Sequence, residues 1–129
     1  GYIRNSDGAY IQSSDKSLKK DITLLQPALQ KINTLQSYQY HYLENSKNTN
    51  YSIGFMAQDV QKKFPDAVSE KIMKDGKTQL GINYQYFTVL AIKGLQEQQG
   101  DIEAQNKKIE VLENQIAELK KLVEQHIKK

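Results

Sequence analysis

The sequence contains no cysteine and only two histidines. Without cysteine the chain can form neither a disulfide nor a thiolate metal site, and it has no cysteine nucleophile. The two histidines, His41 and His126, stand far apart, so a metal site built by the protein is not expected. Glycine-rich phosphate-binding loops are also missing. We therefore predict that the protein uses no metal and no other cofactor.

Long apolar runs and basic stripes are equally absent from the chain. No apolar run approaches the roughly 20 residues that a membrane-spanning helix needs, and the first residues do not form a signal-peptide-like apolar region. The net charge is only +3, and no basic stripe carries the interleaved aromatic residues that favour nucleic-acid binding. Neither a membrane nor a nucleic acid is therefore expected as a partner.

Apolar residues are too few for a large single-chain core. They make up 38% of the 129 residues, and many of them lie in a C-terminal helical segment that cannot bury its apolar stripe alone. A small domain with so thin a core is usually stabilised by oligomerisation. We therefore expect the chain to associate with itself. Its strand-like first residues favour a piece of a longer protein.

A heptad pattern organises the C-terminal segment. Residues of one seam recur every seven positions and are Leu95, Ile102, Ile109, Ile116 and Val123. The companion seam consists of Ala91, Gln98, Gln105, Leu112, Leu119 and His126. This pattern predicts a long coiled-coil helix over residues 84–129. A polar residue such as His126 in the seam sets the register of the helices more readily than it binds a ligand.

The segments before this helix predict a small mixed domain of helices and strands, so the fold class is α+β. We assign residues 1–13 to the end of an upstream β-rich stalk and residues 14–83 to the mixed region. Pro27 fits the first turn of the first helix. The pattern predicts strands at 2–4, 9–11, 37–43 and 51–56, helices at 24–35 and 57–64, a polar loop at 44–50 and a β-hairpin at 68–82.

Polar residues near the N-terminus bring a serine, an aspartate and lysines close together. Ser14 directly precedes Asp15, and Lys19 follows Ser14 by five residues. A serine hydroxyl needs a base, and an exposed lysine with the ordinary pKa of about 10.4 is protonated at neutral pH. Burial favours the neutral amine, so assembly of several chains could activate the pair. The non-catalytic interpretation is a capping turn whose lysines face solvent.

Two further motifs follow this segment. The first runs from Gly54 to Val60 with the sequence GFMAQDV, the second from Phe64 to Val68 with the sequence FPDAV, and the heptad helix comes last. This ordered set resembles the auto-cleaving intramolecular chaperone domain at the C-termini of phage tailspike endosialidases and many tail fibres. The same domain occurs in the myelin regulatory factor. The resemblance extends from about Tyr10 to the C-terminus.

The resemblance implies a cleavage site and a mode of assembly. Ser14 would be the nucleophile and Lys19 the general base of a serine auto-endopeptidase that cuts the Ser14–Asp15 bond once, with Lys20 as the alternative base. Attack of Ser14 on its own carbonyl would form a four-membered ring. A lactone, an activated water, help from Asp15 and attack from another chain therefore stay open. The resemblance also implies a parallel homotrimer, whereas the seam residues alone favour a dimer.

Gly54 and Gln58 are the supporting residues that the resemblance implies. In the functional interpretation the backbone is approached closely at Gly54, and Gln58 donates to the cleavage segment. The alternative is a strand-to-helix turn with a capping glutamine, and the sequence does not decide between the two.

The function implied by the resemblance is that of a folding aid that removes itself. The chain would trimerise, help an upstream tail-fibre or tailspike-like domain of the same polypeptide to fold in the host cytoplasm, and then leave the virion fibre by cleavage. One alternative is a trimerisation or capping domain of a fibre or adhesin that is never cleaved. A third interpretation is a processing module like that of the myelin factor, but this chain carries no membrane helix to support it.

Overall fold

The computed structural model describes residues 1–43 and 49–128. A small region of short strands and helices precedes one long helix, as predicted for the α+β class. In chain order the elements are β1 (Tyr2–Ile3), β2 (Tyr10–Ile11), a 3₁₀ turn (Lys16–Leu18), α1 (Leu29–Ile32), β3 (Tyr38–Tyr40), β4 (Ser52–Gly54), α2 (Ala57–Lys63), a 3₁₀ turn (Pro65–Ala67), β5 (Val68–Ile72), β6 (Thr78–Ile82) and α3 (Tyr84–Ile127).

Three antiparallel pairs make up the β-structure of the described residues: β1 with β2, β3 with β4, and β5 with β6. The first and third pairs are hairpins whose turns contain the dipeptides Asp7–Gly8 and Asp75–Gly76. Gly8 and Gly76 have φ angles of 71° and 81°, a region that glycine enters without steric cost. In the third pair Val68 lies opposite Ile82, and Ile72 lies opposite Thr78. Local turn chemistry therefore explains both hairpins.

The first helix is much shorter than predicted. The pattern predicts a helix over 24–35, but α1 begins only at Leu29 and has four residues. Pro27 disfavours helical backbone at the residue before it, and Leu24 is 91% exposed rather than packed. The prediction that Pro27 lies in the first helical turn is therefore wrong, because Pro27 comes before the N-cap.

The strands predicted at 37–43 and 51–56 are also shorter, since only Tyr38–Tyr40 and Ser52–Gly54 pair. The second strand ends because the next backbone N–H, that of Phe55, donates to the Tyr84 hydroxyl oxygen at 2.9 Å. A donor engaged in this way is not available to a neighbouring strand. Most of the predicted loop at 44–50 lies outside the described residues.

The core is small and lies where α2, the turn after it and the start of α3 meet. Its buried apolar residues are Ala28, Val60, Phe64, Ala67 and Leu90. Helix α1 packs on α3 at Gly94, which is buried. A Cβ added there would lie 3.3 Å from the Ile32 Cδ1 atom, so glycine lets the two helices approach closely.

Helix α3 runs without interruption through both of its glycines and has 44 residues. At a rise of ~1.5 Å per residue it is about 66 Å long. None of residues 101–128 is buried, and the apolar seam residues are about half exposed or more, as at Leu95 (65%). The predicted long helix is confirmed, while its association into a parallel trimer stays a prediction. Among the described residues, no helix is apolar and long enough to span a membrane.

Candidate active site

A short 3₁₀ turn shapes the segment that contains the candidate nucleophile. Asp15 is the N-cap of this turn, and its Oδ1 atom accepts hydrogen bonds from the Ser17 backbone N–H at 2.8 Å and the Ser17 hydroxyl at 2.6 Å. The turn ends where the Lys19 N–H donates to the Lys16 carbonyl oxygen at 3.1 Å. Serine and aspartate commonly satisfy free N–H groups in this way.

This turn brings the two predicted catalytic residues into contact. The Lys19 Nζ atom donates to the Ser14 Oγ atom at 2.7 Å, a distance at which a proton can pass between a nucleophile and its base. The hydrogen bonds of the described chain link Lys19, and not Lys20, to this hydroxyl. The structure contains the capping turn and, within it, the contact between Ser14 and Lys19. The catalytic role of this pair stays a prediction.

The electrostatics of the turn keep its aspartate ionised. The hydrogen bonds from Ser17 hold the pKa of Asp15 below its usual value, and the positive charge of Lys19 adds to this effect. A carboxylate that accepts such bonds is stabilised in its charged form. Sequence reasoning missed Ser17. The spacing of an aspartate two residues before a serine could have indicated it.

The pair lies on a segment that the rest of a single chain does not cover. All of residues 1–27 are described and none is buried; Ala28, at 4% exposure, is the first buried residue. Apolar side chains of this segment are exposed as well, including Leu18, Ile22 and Leu24. A single chain thus leaves the Ser14–Lys19 pair open to solvent.

Gly54 lies on β4, against two tyrosine hydroxyls. A Cβ added at Gly54 would clash with the Tyr84 Oη atom and lie 3.3 Å from the Tyr40 Oη atom. The Tyr40 hydroxyl is also 3.3 Å from that of Tyr42, and this hydrogen bond raises the pKa of Tyr40 to about 12. Sequence reasoning missed Tyr84, because nothing in its local pattern links the start of α3 to β4.

Gln58 is exposed on α2, one residue after the start of that helix. It lines an open groove of about 1170 Å³ whose other walls include Tyr40, Phe55 and Leu80. Within the described residues, no hydrogen bond joins Gln58 to Ser14 or to Lys19. A single chain thus unites Ser14 with Lys19 but does not connect Gln58 to them.

The side chains that most often bind metal ions do not cluster in the described part of the chain. No group of three or more histidine, cysteine, aspartate or glutamate residues lies close enough there to hold a metal ion. The polar groups gathered in the turn at Ser14 are its own hydroxyl, the Lys19 amine and the Asp15 carboxylate.

Comparison with known proteins identifies the segment that contains this pair. Residues 14–69 match the model of a peptidase family described as "chaperone of endosialidase". The resemblance deduced from the sequence is thereby confirmed, and the matched region begins at Ser14 and extends into β5.

Two phage proteins are similar to a longer part of the chain. A long tail fiber protein Gp37 of Enterobacteria phage Ox2 is 32% identical over 101 residues, which is 76% of this chain and 40% of the relative. The Gp37 protein of Enterobacteria phage M1 is 32% identical over 96 residues, covering 72% of this chain and 38% of the relative. The chain thus spans about two fifths of the length of the curated relatives it matches.

Proposed function

We propose that this chain is a C-terminal intramolecular chaperone. It trimerises, assists the folding of an upstream tail-fibre or tailspike-like domain of the same polypeptide, and then releases itself by autoproteolysis at the Ser14–Asp15 bond. The chaperone-of-endosialidase match and the similarity to phage tail fibre proteins support a chaperone domain associated with a tail fibre. Such a chain folds in the host cytoplasm as part of a virion fibre precursor.

The observation that carries the cleavage proposal is the 2.7 Å hydrogen bond between Lys19 Nζ and Ser14 Oγ. Once its amine is neutral, Lys19 can accept the hydroxyl proton without any rearrangement of the turn. Hydrolysis adds one water across the peptide bond, so Ser14 gains a carboxyl group and Asp15 gains an amine. The four-membered ring of a direct attack disfavours that route. A lactone, an activated water, help from Asp15 and attack from a neighbouring chain are the alternatives.

Assembly supplies the cover that the site lacks in one chain. The seam of α3 is exposed, and three parallel helices would bury it. The exposed apolar residues of the cleavage segment would be buried along with it, and burial favours the neutral form of a lysine. Cleavage then follows only when the trimer is correctly built, so it acts as a checkpoint on folding.

The decisive experiment expresses the full natural polypeptide and follows its fragments by intact mass and N-terminal sequencing. We expect a fragment that begins at Asp15. Ser14→Ala and Lys19→Ala should abolish it, whereas Lys20→Ala should not. A fragment with another start, or cleavage that survives both of the first two changes, would contradict the serine–lysine pair.

Mixed trimers separate the possible routes. Co-expression of Ser14→Ala with Lys19→Ala chains leaves no chain with both groups, so cleavage should stay absent if the pair acts within one chain. Tagged Ser14→Ala chains mixed with untagged wild-type chains should be cut only if a serine attacks a neighbouring chain. A trimer that is stable in every mixture but never cut, even when wild type, would instead favour the non-cleaving capping domain.

A further inference from the structure

Asp15 has a second role besides supplying the amide nitrogen of the cleaved bond. We propose that Asp15 is a positioning residue: its carboxylate caps the turn at Ser17 and so holds the Lys19 amine at the Ser14 hydroxyl. This inference rests on the proposed self-cleavage and adds a requirement to it.

Few interactions define the turn at Asp15. It contains three residues, Lys16–Leu18, and short 3₁₀ turns have poor hydrogen-bond geometry of their own. Its backbone bonds are long: the Leu18 N–H lies 3.2 Å from the Asp15 carbonyl oxygen. The bonds to the Asp15 carboxylate are shorter, at 2.8 and 2.6 Å. Hydrogen bonds to a charged acceptor are also the stronger kind.

Packing onto the core does not hold this segment in place in the part of the chain that the structure describes. None of residues 1–27 is buried, so packing does not set the distance between Ser14 and Lys19. Lysine has a long, flexible side chain that loses much rotational freedom when it is fixed. Because the capped turn fixes the backbone at Lys19, fewer side-chain conformations leave its amine out of hydrogen-bonding distance of the Ser14 hydroxyl. The cap therefore raises the fraction of chains with the pair in contact.

The cap also distinguishes between neighbouring serines that could act as the nucleophile. Ser13, Ser14 and Ser17 lie within five positions of each other. The Ser17 hydroxyl donates its proton to the Asp15 carboxylate, whereas the Ser14 hydroxyl contacts Lys19. The cap thus engages the Ser17 hydroxyl, while it directs the Lys19 amine to the Ser14 hydroxyl.

Three variants of the full polypeptide test the proposal. Asp15→Ala removes the cap. Asp15→Asn keeps an oxygen that accepts the same bonds but removes the charge. Ser17→Ala removes the shorter of the two hydrogen bonds to the Asp15 carboxylate and leaves the Ser14–Asp15 peptide bond chemically unchanged. Ser13→Ala is the matched control. Each rate of fragment appearance is measured by pulse-chase labelling, and sedimentation verifies that trimers form equally well.

We expect Asp15→Ala to cleave about five-fold more slowly, and at most about thirty-fold, because these factors correspond to the typical and the largest free-energy cost of losing an N-cap. Asp15→Asn should lie within about three-fold of wild type, because asparagine is as good an N-cap as aspartate. Ser17→Ala should be slowed measurably, and Ser13→Ala should not.

Two results would overturn the proposal. If Asp15→Ala cleaves as fast as wild type, the cap does not position the pair. If Asp15→Asn is as slow as Asp15→Ala while Ser17→Ala is normal, the charge of Asp15 acts directly and the cap is irrelevant. Both results are distinct from failure of the proposed function, which would appear as continued cleavage in Ser14→Ala.

Discussion

Replacing Glu97 with alanine should detach the start of α1 from α3. The Glu97 Oε2 atom accepts hydrogen bonds from the backbone N–H groups of Ala28 and Leu29, each at 3.0 Å. These are among the N–H groups that a helix cannot satisfy within itself. The carboxylate is half-buried, and Ala28 is a core residue. Glu97 therefore fixes the point at which the exposed residues 1–27 join the folded core.

The size of the effect follows from these two bonds. A hydrogen bond to a charged group contributes about 1.5–3 kcal/mol, and a buried donor left without a partner costs about 1–3 kcal/mol. The two donors share one acceptor and water can reach part of the site, so their contributions do not add fully. We expect Glu97→Ala to lower the free energy of unfolding by about 2–4 kcal/mol and Glu97→Gln by about 1 kcal/mol, because glutamine keeps an acceptor oxygen.

Denaturant unfolding followed by circular dichroism measures this difference. Chain concentration must be held constant, because the stability of an oligomer depends on it. Glu103→Ala is the matched control: Glu103 is an exposed carboxylate on the same helix, bonded to Gln99 four residues earlier, and its loss should cost no more than about 0.5 kcal/mol. A Glu97→Ala protein as stable as this control would refute the reasoning.

Other substitutions test the packing, the assembly and the turn. Gly54→Ala should lower the stability measured in thermal unfolding by about 1–3 kcal/mol, since its Cβ would meet the Tyr84 hydroxyl. Adding Tyr84→Phe to this variant should recover part of the loss. If the losses of the two single variants simply add in the double variant, the clash is contradicted. Aspartates at Ile109 and Ile116 should yield largely unfolded monomers in sedimentation, because buried unpaired charges are costly, and the full polypeptide should then cleave poorly; a stable compact monomer would count against the coiled coil. The Asp15 cap should be fully present above the ordinary aspartate pKa of about 3.9. It should be lost as pH falls through the lower pKa that Asp15 has in the folded state. Amide NMR that shows the turn opening as pH rises would contradict this prediction.

Features that depend on nearby residues could be predicted from the sequence. The Asp–Gly dipeptides determine the two hairpin turns, because glycine alone enters their positive φ angles without cost. The heptads indicate the long helix up to Ile127. The five-residue spacing of Ser14 and Lys19 suffices for their contact, since one capped turn closes it without help from other elements.

Features that depend on distant residues were decided by the tertiary structure. Pro27 disfavours helical backbone before it, and the free N–H groups at the start of α1 are then satisfied by Glu97, 68 positions after Leu29. Strand β4 ends at Gly54 because Tyr84 takes the next N–H. Neither partner is marked by a local pattern. A backbone donor accepts any well-placed oxygen, so which oxygen reaches it is determined only once the chain has folded.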